Sequence, residues 1–394
     1  IFVQAQADHI ESLFKASPLS AIEELVWNAL DADAQEVKID LLTNPLGAVE
    51  AVRIIDDGTG IDILNADSTF GSLGGSWKRS KEASTAYSHR RLHGRHGRGR
   101  FKAFALGGHV EWRTSVCVGN EMLSYMLSAD ISKPGVFELE SIDAENAPRR
   151  GTEVLISNAK VGCDSLLNAT ETVQNLAAKF ALYLKSYPDV RIYFNGLPVT
   201  PVIVQKKVTD YKFALKSGAE AKLEVIEWKR KFVGSGRLVL AGPDGFQLHE
   251  MPASVRSQGS SFTAYLVSPR FPALAAENAL VMDELNAEVR DHLDEAKKLL
   301  KAHFAARGED RAAELIGNLI HEESYPFDED DDSREREHFD RAAVELAAKF
   351  DGFASLSADD VHDKNICRPH QGGYQRHPLA LSAGEGKTLK SVLA

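Results

Sequence analysis

The sequence predicts an α+β fold in which a mixed, largely antiparallel sheet is covered by helices on one face. Three observations carry that expectation. Strand-like runs at 109–118, 122–131, 136–142 and 152–156 follow one another with few helices between them, as in an antiparallel sheet backed by helices. An amphipathic helix stands near the start of the chain, over 17–32. The 394 residues are 43% hydrophobic and 26% charged, the balance of a globular protein with room for two or three domains.

Taken in order, the chain opens with a short helix expected over Asp8 to Lys15. The 17–32 helix has a clear start. Ser17 can cap, Pro18 suits the first turn, and Ser20 with Glu23 offers a second capping choice. At about 100° per residue, Glu24, Asn28 and Asp31 share a sector of roughly 60°. Ile22, Leu25, Val26, Ala29 and Leu30 take the opposite side. Strands are expected over 37–41 and 49–55, the second running into Asp56-Asp57-Gly58-Thr59-Gly60-Ile61. Two glycines after a strand mark a tight turn where backbone can approach a ligand.

Residues 65–93 are rich in Gly, Ser and basic side chains, the composition of a functional loop or lid. Gly94-Arg95-His96-Gly97-Arg98-Gly99 follows and opens a helix-like run, 100–106. Unpaired N–H groups at such a helix start favour phosphate, and the basic run from Arg90 to Lys102 is read as serving phosphate and lid. No Gly-Lys-Ser/Thr follows, so this is not a P-loop. Beyond Gly151-Thr152, a long helix is expected over 164–187 and a strand over 190–194 ending at Asn195-Gly196. A second unit begins near Pro198, with strands over 221–228, 237–241, 245–250 and 262–268. Helices follow over 283–306, where Leu285, Val289, Leu293, Leu299 and Leu300 can face a core, and over 310–321. Asp328 to Asp332 reads as a solvated acidic linker. Phe339, Ala343, Leu346 and Phe350 mark one more helix, and the tail after Ser357 has little pattern.

Composition removes several classes. No apolar run reaches the roughly 18 residues that cross a bilayer, and no signal peptide is visible. Cys117, Cys163 and Cys367 are few, odd in number and far apart, which suits a cytoplasmic location and gives no zinc spacing. A net charge of −11 argues against a globally basic nucleic-acid binder. The first residue is Ile1 rather than Met, which leaves room for a native start upstream.

Four stretches in order carry a resemblance: Glu24 to Ala32, Asp56 to Gly60, Gly94 to Gly99, and Gly151-Thr152. Together they resemble the GHKL ATPase superfamily of gyrase B-type topoisomerases, ninety-kilodalton heat-shock chaperones, histidine kinases and MutL. The style of the motifs is most similar to MutL- and MORC-type ATPases. The resemblance covers about residues 5–197 and implies a Bergerat-type α/β sandwich over 1–197, with its lid at about 65–100. It further implies a transducer-like α/β domain over 198–325, leaving 326–394 as linker, helix and tail.

By the resemblance, Glu24 activates the attacking water and Asn28 ligates Mg²⁺. Asp56 accepts from the adenine amino group, with Thr152 joining it directly or through water. Gly58 and Gly60 pass close to the base. The amides of Gly94, Arg95, His96, Gly97, Arg98 and Gly99 wrap the triphosphate of ATP. Asp31 supports the Glu24–Asn28 face. The implied activity is Mg²⁺-dependent ATP hydrolysis that drives an ATP-dependent homodimer, with a protein partner possible through the C-terminal region. A non-hydrolysing nucleotide-binding scaffold and an ATP-gated nucleic-acid clamp are the alternatives. The lysine that many relatives send from the second domain to the γ-phosphate has four candidates here, Lys206, Lys207, Lys229 and Lys231.

Overall fold

The computed structural model describes residues 15–62, 85, 88, 90, 92–93, 99–118, 121–133, 136–143, 150–216, 218–230, 236–257, 260–281 and 286–321, together with 334, 336–338 and 340–341. Most of the expected 8–15 helix, nearly all of the 65–98 loop, the acidic run, the helix around Phe339 to Phe350 and the tail lie outside the described residues.

The first helix, α1, spans Pro18–Asp31. Ser17 caps it by accepting from the Ser20 backbone N–H at 3.2 Å, so the first of the two capping choices is the one used. Its apolar stripe is buried throughout: Ala21, Ile22, Leu25, Val26, Ala29 and Leu30 are all under 5% exposed. That stripe lies on an eight-stranded sheet, as the 3.6-residue period requires. The strands are β1 (Glu36–Thr43), β2 (Val49–Asp56), β3 (Gly107–Val118), β4 (Glu121–Asp130), β5 (Glu138–Ser141), β6 (Gly151–Ala159), β7 (Arg191–Phe194) and β8 (Leu197–Pro198). Their order is β5-β4-β3-β6-β2-β1-β7-β8. Only β1 and β7 pair in parallel; every other neighbour is antiparallel. The expected mixed, largely antiparallel sheet is what forms.

Two elements of the first unit differ from expectation. The 100–106 run is a four-residue helix, α2 (Gly99–Lys102), followed by a 3₁₀ turn over Ala103–Ala105. The single helix expected over 164–187 is three pieces: a 3₁₀ segment over Val161–Leu166, α3 (Ala169–Lys179) and α4 (Ala181–Ser186). Asn168 interrupts it because its side chain caps α3 by accepting from the Glu171 N–H at 3.2 Å, the local alternative that Asn offers the backbone. Phe180, at φ −94° and ψ 8°, makes the second break and buries its ring in the core. The Asn195-Gly196 turn forms as expected: both residues have positive φ, the conformation that closes a two-residue hairpin between β7 and β8.

The second unit is a five-stranded sheet. After the short α5 (Pro201–Val204) come β9 (Gln205–Ala214), β10 (Glu220–Trp228), β11 (Arg237–Ala241), β12 (Gln247–Pro252) and β13 (Phe262–Val267), in the order β12-β11-β13-β10-β9. Strand β9 was not expected. It is an edge strand carrying Lys206, Lys207 and Lys212 with most of its side chains exposed or half-buried, so its hydrophobic alternation is faint. Lysines on an edge also discourage pairing with another chain.

The sheet is buried on both faces, and the period of two sorts its residues. Leu223, Val225, Leu238, Leu240, Ala264 and Leu266 face a core shared with the long helix. Ile226, Trp228, Val239, Ala241 and Tyr265 join the core of the first unit. After α6 (Phe271–Ala276), that long helix, α7, runs unbroken over Ala287–His321. The two helices expected over 283–306 and 310–321 are therefore one. Val289, Leu293, Ala296, Leu300 and Phe304 form its buried stripe.

Candidate functional site

The site is built around the C-terminal end of β2. Asp56 is the last residue of that strand and is 7% exposed. Its Oδ1 accepts from the Gly58 N–H at 2.9 Å and from the Thr152 N–H of β6 at 3.2 Å. Both bonds use the same oxygen, so neither occupies Oδ2. Burial pushes the Asp56 carboxyl up to about 7, the two amide bonds pull against that, and neighbouring Asp57 adds to it. A carboxylate kept this dry, with only two amides compensating it, is poised to accept a further hydrogen bond.

Glycine is required around Asp56. Gly151 has φ +88°, and a Cβ there would overlap the Asp56 carbonyl. Gly60 has φ +77°, and a Cβ there would overlap the Ser115 carbonyl of β3. The turn is tied down on both sides. The Thr59 N–H donates to Ala32 O at 2.7 Å, which docks it on the end of α1. Asp57 Oδ1 accepts from the Gln35 and Glu36 N–H groups at 2.7 and 2.9 Å.

Two residues that the sequence reading missed hold the far side. Thr114 Oγ1 accepts from the Ile61 N–H at 3.0 Å, donates to Gly151 O at 3.0 Å and lies 3.2 Å from Thr152 Oγ1. Tyr125 donates its hydroxyl to Ile61 O, and burial, reinforced by Asp62, raises its phenol well above the ordinary range. Both sit at inward positions of β3 and β4, where a Thr or Tyr in a strand gives no sequence signal beyond the strand itself. Thr152 is buried at 5% exposure with its N–H on Asp56.

The face of α1 that carries Glu24 and Asn28 is half-buried. Asp31, on the same side, is 8% exposed, and its Oδ1 accepts from the His93 N–H at 2.7 Å. The His93 ring stacks on Trp27, with centroids 4.1 Å apart and planes 10° apart, and its other neighbour is Phe246 of the β11–β12 connection at 5.7 Å. Glu24 does not stand alone: the Lys102 ammonium lies 2.9 Å from its Oε2. Beside it, burial raises the Glu23 carboxyl, with Lys179 and Lys102 opposing and Glu250 and Glu24 adding.

The basic run divides on inspection. Arg90, the first residue of the run read as serving phosphate and lid, is 2% exposed and bonded within the protein. Its Nη2 lies 3.2 Å from Asp33 Oδ1 and donates to Ala34 O at 2.8 Å, and its N–H donates to Thr85 Oγ1 at 2.9 Å. It pins the end of the loop to the turn after α1, where Asp33 holds a positive φ of 66°. Gly94, Arg95, His96, Gly97 and Arg98 lie outside the described residues, and Gly99 opens α2. Of the four candidate lysines, Lys229 donates to Ile203 O at 2.8 Å, Lys206 and Lys207 are exposed on β9, and Lys231 is outside the described residues.

Asn28 offers a hard amide oxygen. Among the described residues no group of three His, Cys, Asp or Glu side chains could hold a metal ion. A single amide oxygen is a donor that magnesium accepts, the rest of its shell being phosphate and water.

Fold and site define the class: an α/β sandwich whose first helix and second strand frame a glycine-bounded polar site. Residues 16–148 match the family of histidine kinase-, DNA gyrase B- and HSP90-like ATPases. The matched stretch runs from α1 to just past β5 and contains Glu24, Asn28 and Asp56, and it supports ATP binding by this region. No curated protein matches the chain. Among the described residues, no helix is long and apolar enough to cross a membrane.

Proposed function

We propose that the protein is a Mg²⁺-dependent ATPase switch of the GHKL type, with the motif style of the MutL and MORC branches. The observation that carries the reading is the buried Asp56 carboxylate, which keeps Oδ2 clear of its two amide bonds beside a turn where only glycine fits. Such an acceptor suits the adenine amino group and gives a base specificity that phosphate contacts cannot. Thr152 joins Asp56 at the base, and Gly58 and Gly60 let the backbone pass close to it.

Glu24 and Asn28 stand one turn apart on one face of α1, so the helix itself sets the spacing between base and metal ligand. Magnesium, when bound, neutralises phosphate charge and fixes its geometry. Asn28 supplies its protein oxygen. Glu24 takes a proton from the attacking water as the water oxygen bonds to the terminal phosphorus and the bond to the bridging oxygen breaks, releasing ADP and phosphate. The amides from Gly94 to Gly99 receive the triphosphate.

Residues 1–197 form the ATP-binding domain in this reading, with the lid at about 65–100. Residues 198–325 are the transducer, and 326–394 contribute a linker and partner contacts. Support for this division comes from the two sheets and from the shared core that Trp228, Val239 and Tyr265 make with the first unit. Bound ATP brings two protomers together through their N-terminal regions, and hydrolysis resets them.

The test is Glu24→Ala. MgATP binding should persist while phosphate release falls by about a thousandfold, the scale of loss for a general base acting together with positioning. Wild-type turnover in the variant would remove Glu24 from its role. Mass measurement with and without a non-hydrolysable ATP analogue tests dimerisation, which requires a doubling only in its presence.

A further inference from the structure

Glu24 is held by a specific partner. Lys102 lies 78 positions further along the chain, and its ammonium is 2.9 Å from Glu24 Oε2. The lysine's backbone is rigidly placed, because Phe101 and Ala103 on either side are 1% and 0% exposed. Its head is not: 34% of the Lys102 side chain is exposed, against 20% for Glu24. An anchored backbone and a flexible four-carbon stem that is about one-third exposed describe a group that can change partners without moving the fold.

Lys179, which also faces Glu23, is already engaged 3.2 Å from Glu250 of β12. Lys102 is therefore the described cation that serves Glu24. With Lys102 on its Oε2, Glu24 has that oxygen turned to an ammonium rather than to a water. A terminal phosphate carries more negative charge than one carboxylate and offers three oxygens, so it is the stronger competitor for the same ammonium.

We infer that Lys102 is a partner-exchanging residue: it holds Glu24 in the nucleotide-free protein and passes to the terminal phosphate when a nucleoside triphosphate binds, freeing Glu24 for water. This rests on the proposed ATPase reading and adds to it a means by which the base is active only with triphosphate present. The exchange also makes the site discriminate triphosphate from diphosphate, since only the former places a phosphate at the third, γ position for which Lys102 leaves Glu24.

The experiment is calorimetric titration of MgADP and of the Mg²⁺ complex of a non-hydrolysable ATP analogue into wild type, Lys102→Met, Glu24→Gln and the double variant. Methionine keeps the stem and removes the charge, and a thermal unfolding midpoint within a few degrees of wild type verifies folding. Lys102→Met should bind the analogue about tenfold more weakly, as for a lost charge-assisted hydrogen bond, and MgADP within about twofold of wild type. Glu24→Gln should bind the analogue several-fold more tightly, because Lys102 is already released, and that gain should vanish in the double variant.

A gain of equal size in the double variant would mean simple repulsion between Glu24 and phosphate, and would overturn the exchange. So would equal weakening of diphosphate and analogue by Lys102→Met, or no effect on either. If wild type binds neither nucleotide, the ATPase reading falls and takes this inference with it. Binding of both without dependence on Lys102 removes the inference alone.

Discussion

Each unit of this protein buries a carboxylate, and the two are treated in opposite ways. Asp56, in the first unit, is 7% exposed and receives two backbone N–H groups on one oxygen. Burial dominates, and its carboxyl is pushed up to about 7. Glu227, in the second, is 1% exposed. Burial is the largest single influence there too, but the His303 hydrogen bond and the Arg307 charge together outweigh it and leave the carboxyl below its ordinary value. His303 Nε2 and Arg307 Nε lie 3.3 and 3.0 Å from Glu227 Oε1, and Tyr211 holds the other His303 nitrogen at 2.8 Å. The Glu227 cluster joins β9 and β10 to α7 and sets the carboxylate against the Arg307 guanidinium and the His303 ring. Among the described residues, the Asp56 site is compensated with backbone amides. A structural carboxylate is given counter-charge; one kept for a ligand is left short of it.

The sharpest way to break this comparison is to remove each carboxylate and read stability. Glu227→Ala should destabilise the protein by about 3–5 kcal/mol in denaturant unfolding, because Arg307 loses its counter-charge and the buried His303 ring loses a polar partner. Asp56→Asn should not destabilise it. A loss at Asp56 as large as that at Glu227 would erase the distinction.

The pH dependence should differ in sign. Asp56 holds its proton in the folded protein up to about 7, well above the unfolded chain, so the folded state binds more protons and stability from this group falls as pH rises from about 4 to 7. Relative to wild type, Asp56→Asn should gain on the order of 2–4 kcal/mol across that window, measured as unfolding free energy at pH 4 and pH 8. Glu227, shifted downward, contributes stability that is present above its ordinary value and lost as pH falls through the folded one. The same Asp56→Asn protein should bind ATP about a hundredfold more weakly, since its amide reverses one hydrogen-bonding position facing the adenine amino group. Unchanged ATP affinity would detach Asp56 from the base.

Smallest is the effect of Tyr211→Phe. It removes one hydroxyl from His303 at the half-buried rim of the cluster, and should cost about 0.5–1.5 kcal/mol with nucleotide affinity unchanged. A change in nucleotide affinity there would mean that the second unit reaches the site by this route.

Much of the frame was readable from residue order. The α1 stripe, seven of the eight strands of the first sheet and four of the five in the second follow from periods of 3.6 and 2 combined with glycine turns. The misses have local causes. The faint alternation of β9 hid a real strand, since its outward positions carry lysine and its inward ones are only half-covered. Asn168 and Phe180 broke a helix that apolar spacing alone would have continued. The two helices expected over 283–306 and 310–321 are one, α7, which runs unbroken over Ala287–His321.

The site divides along the same line. Glu24, Asn28 and Asp56 are visible because helix spacing and a glycine turn are local, and sterics act between near neighbours in sequence. Their partners are not local. Thr152 meets Asp56 across 96 positions, Lys102 meets Glu24 across 78, and Arg90 meets Asp33 across 57. Those meetings depend on β6 lying between β3 and β2 and on α2 packing beside α1. Residue order therefore determined which carboxylates this protein possesses and which face of α1 carries them. Packing in space pairs Arg90 with Asp33, rests Glu24 against Lys102 and, among the described residues, gives Asp56 backbone amides rather than a cation. A carboxylate's acidity is set by whatever surrounds it in space, and no periodicity along the chain records that.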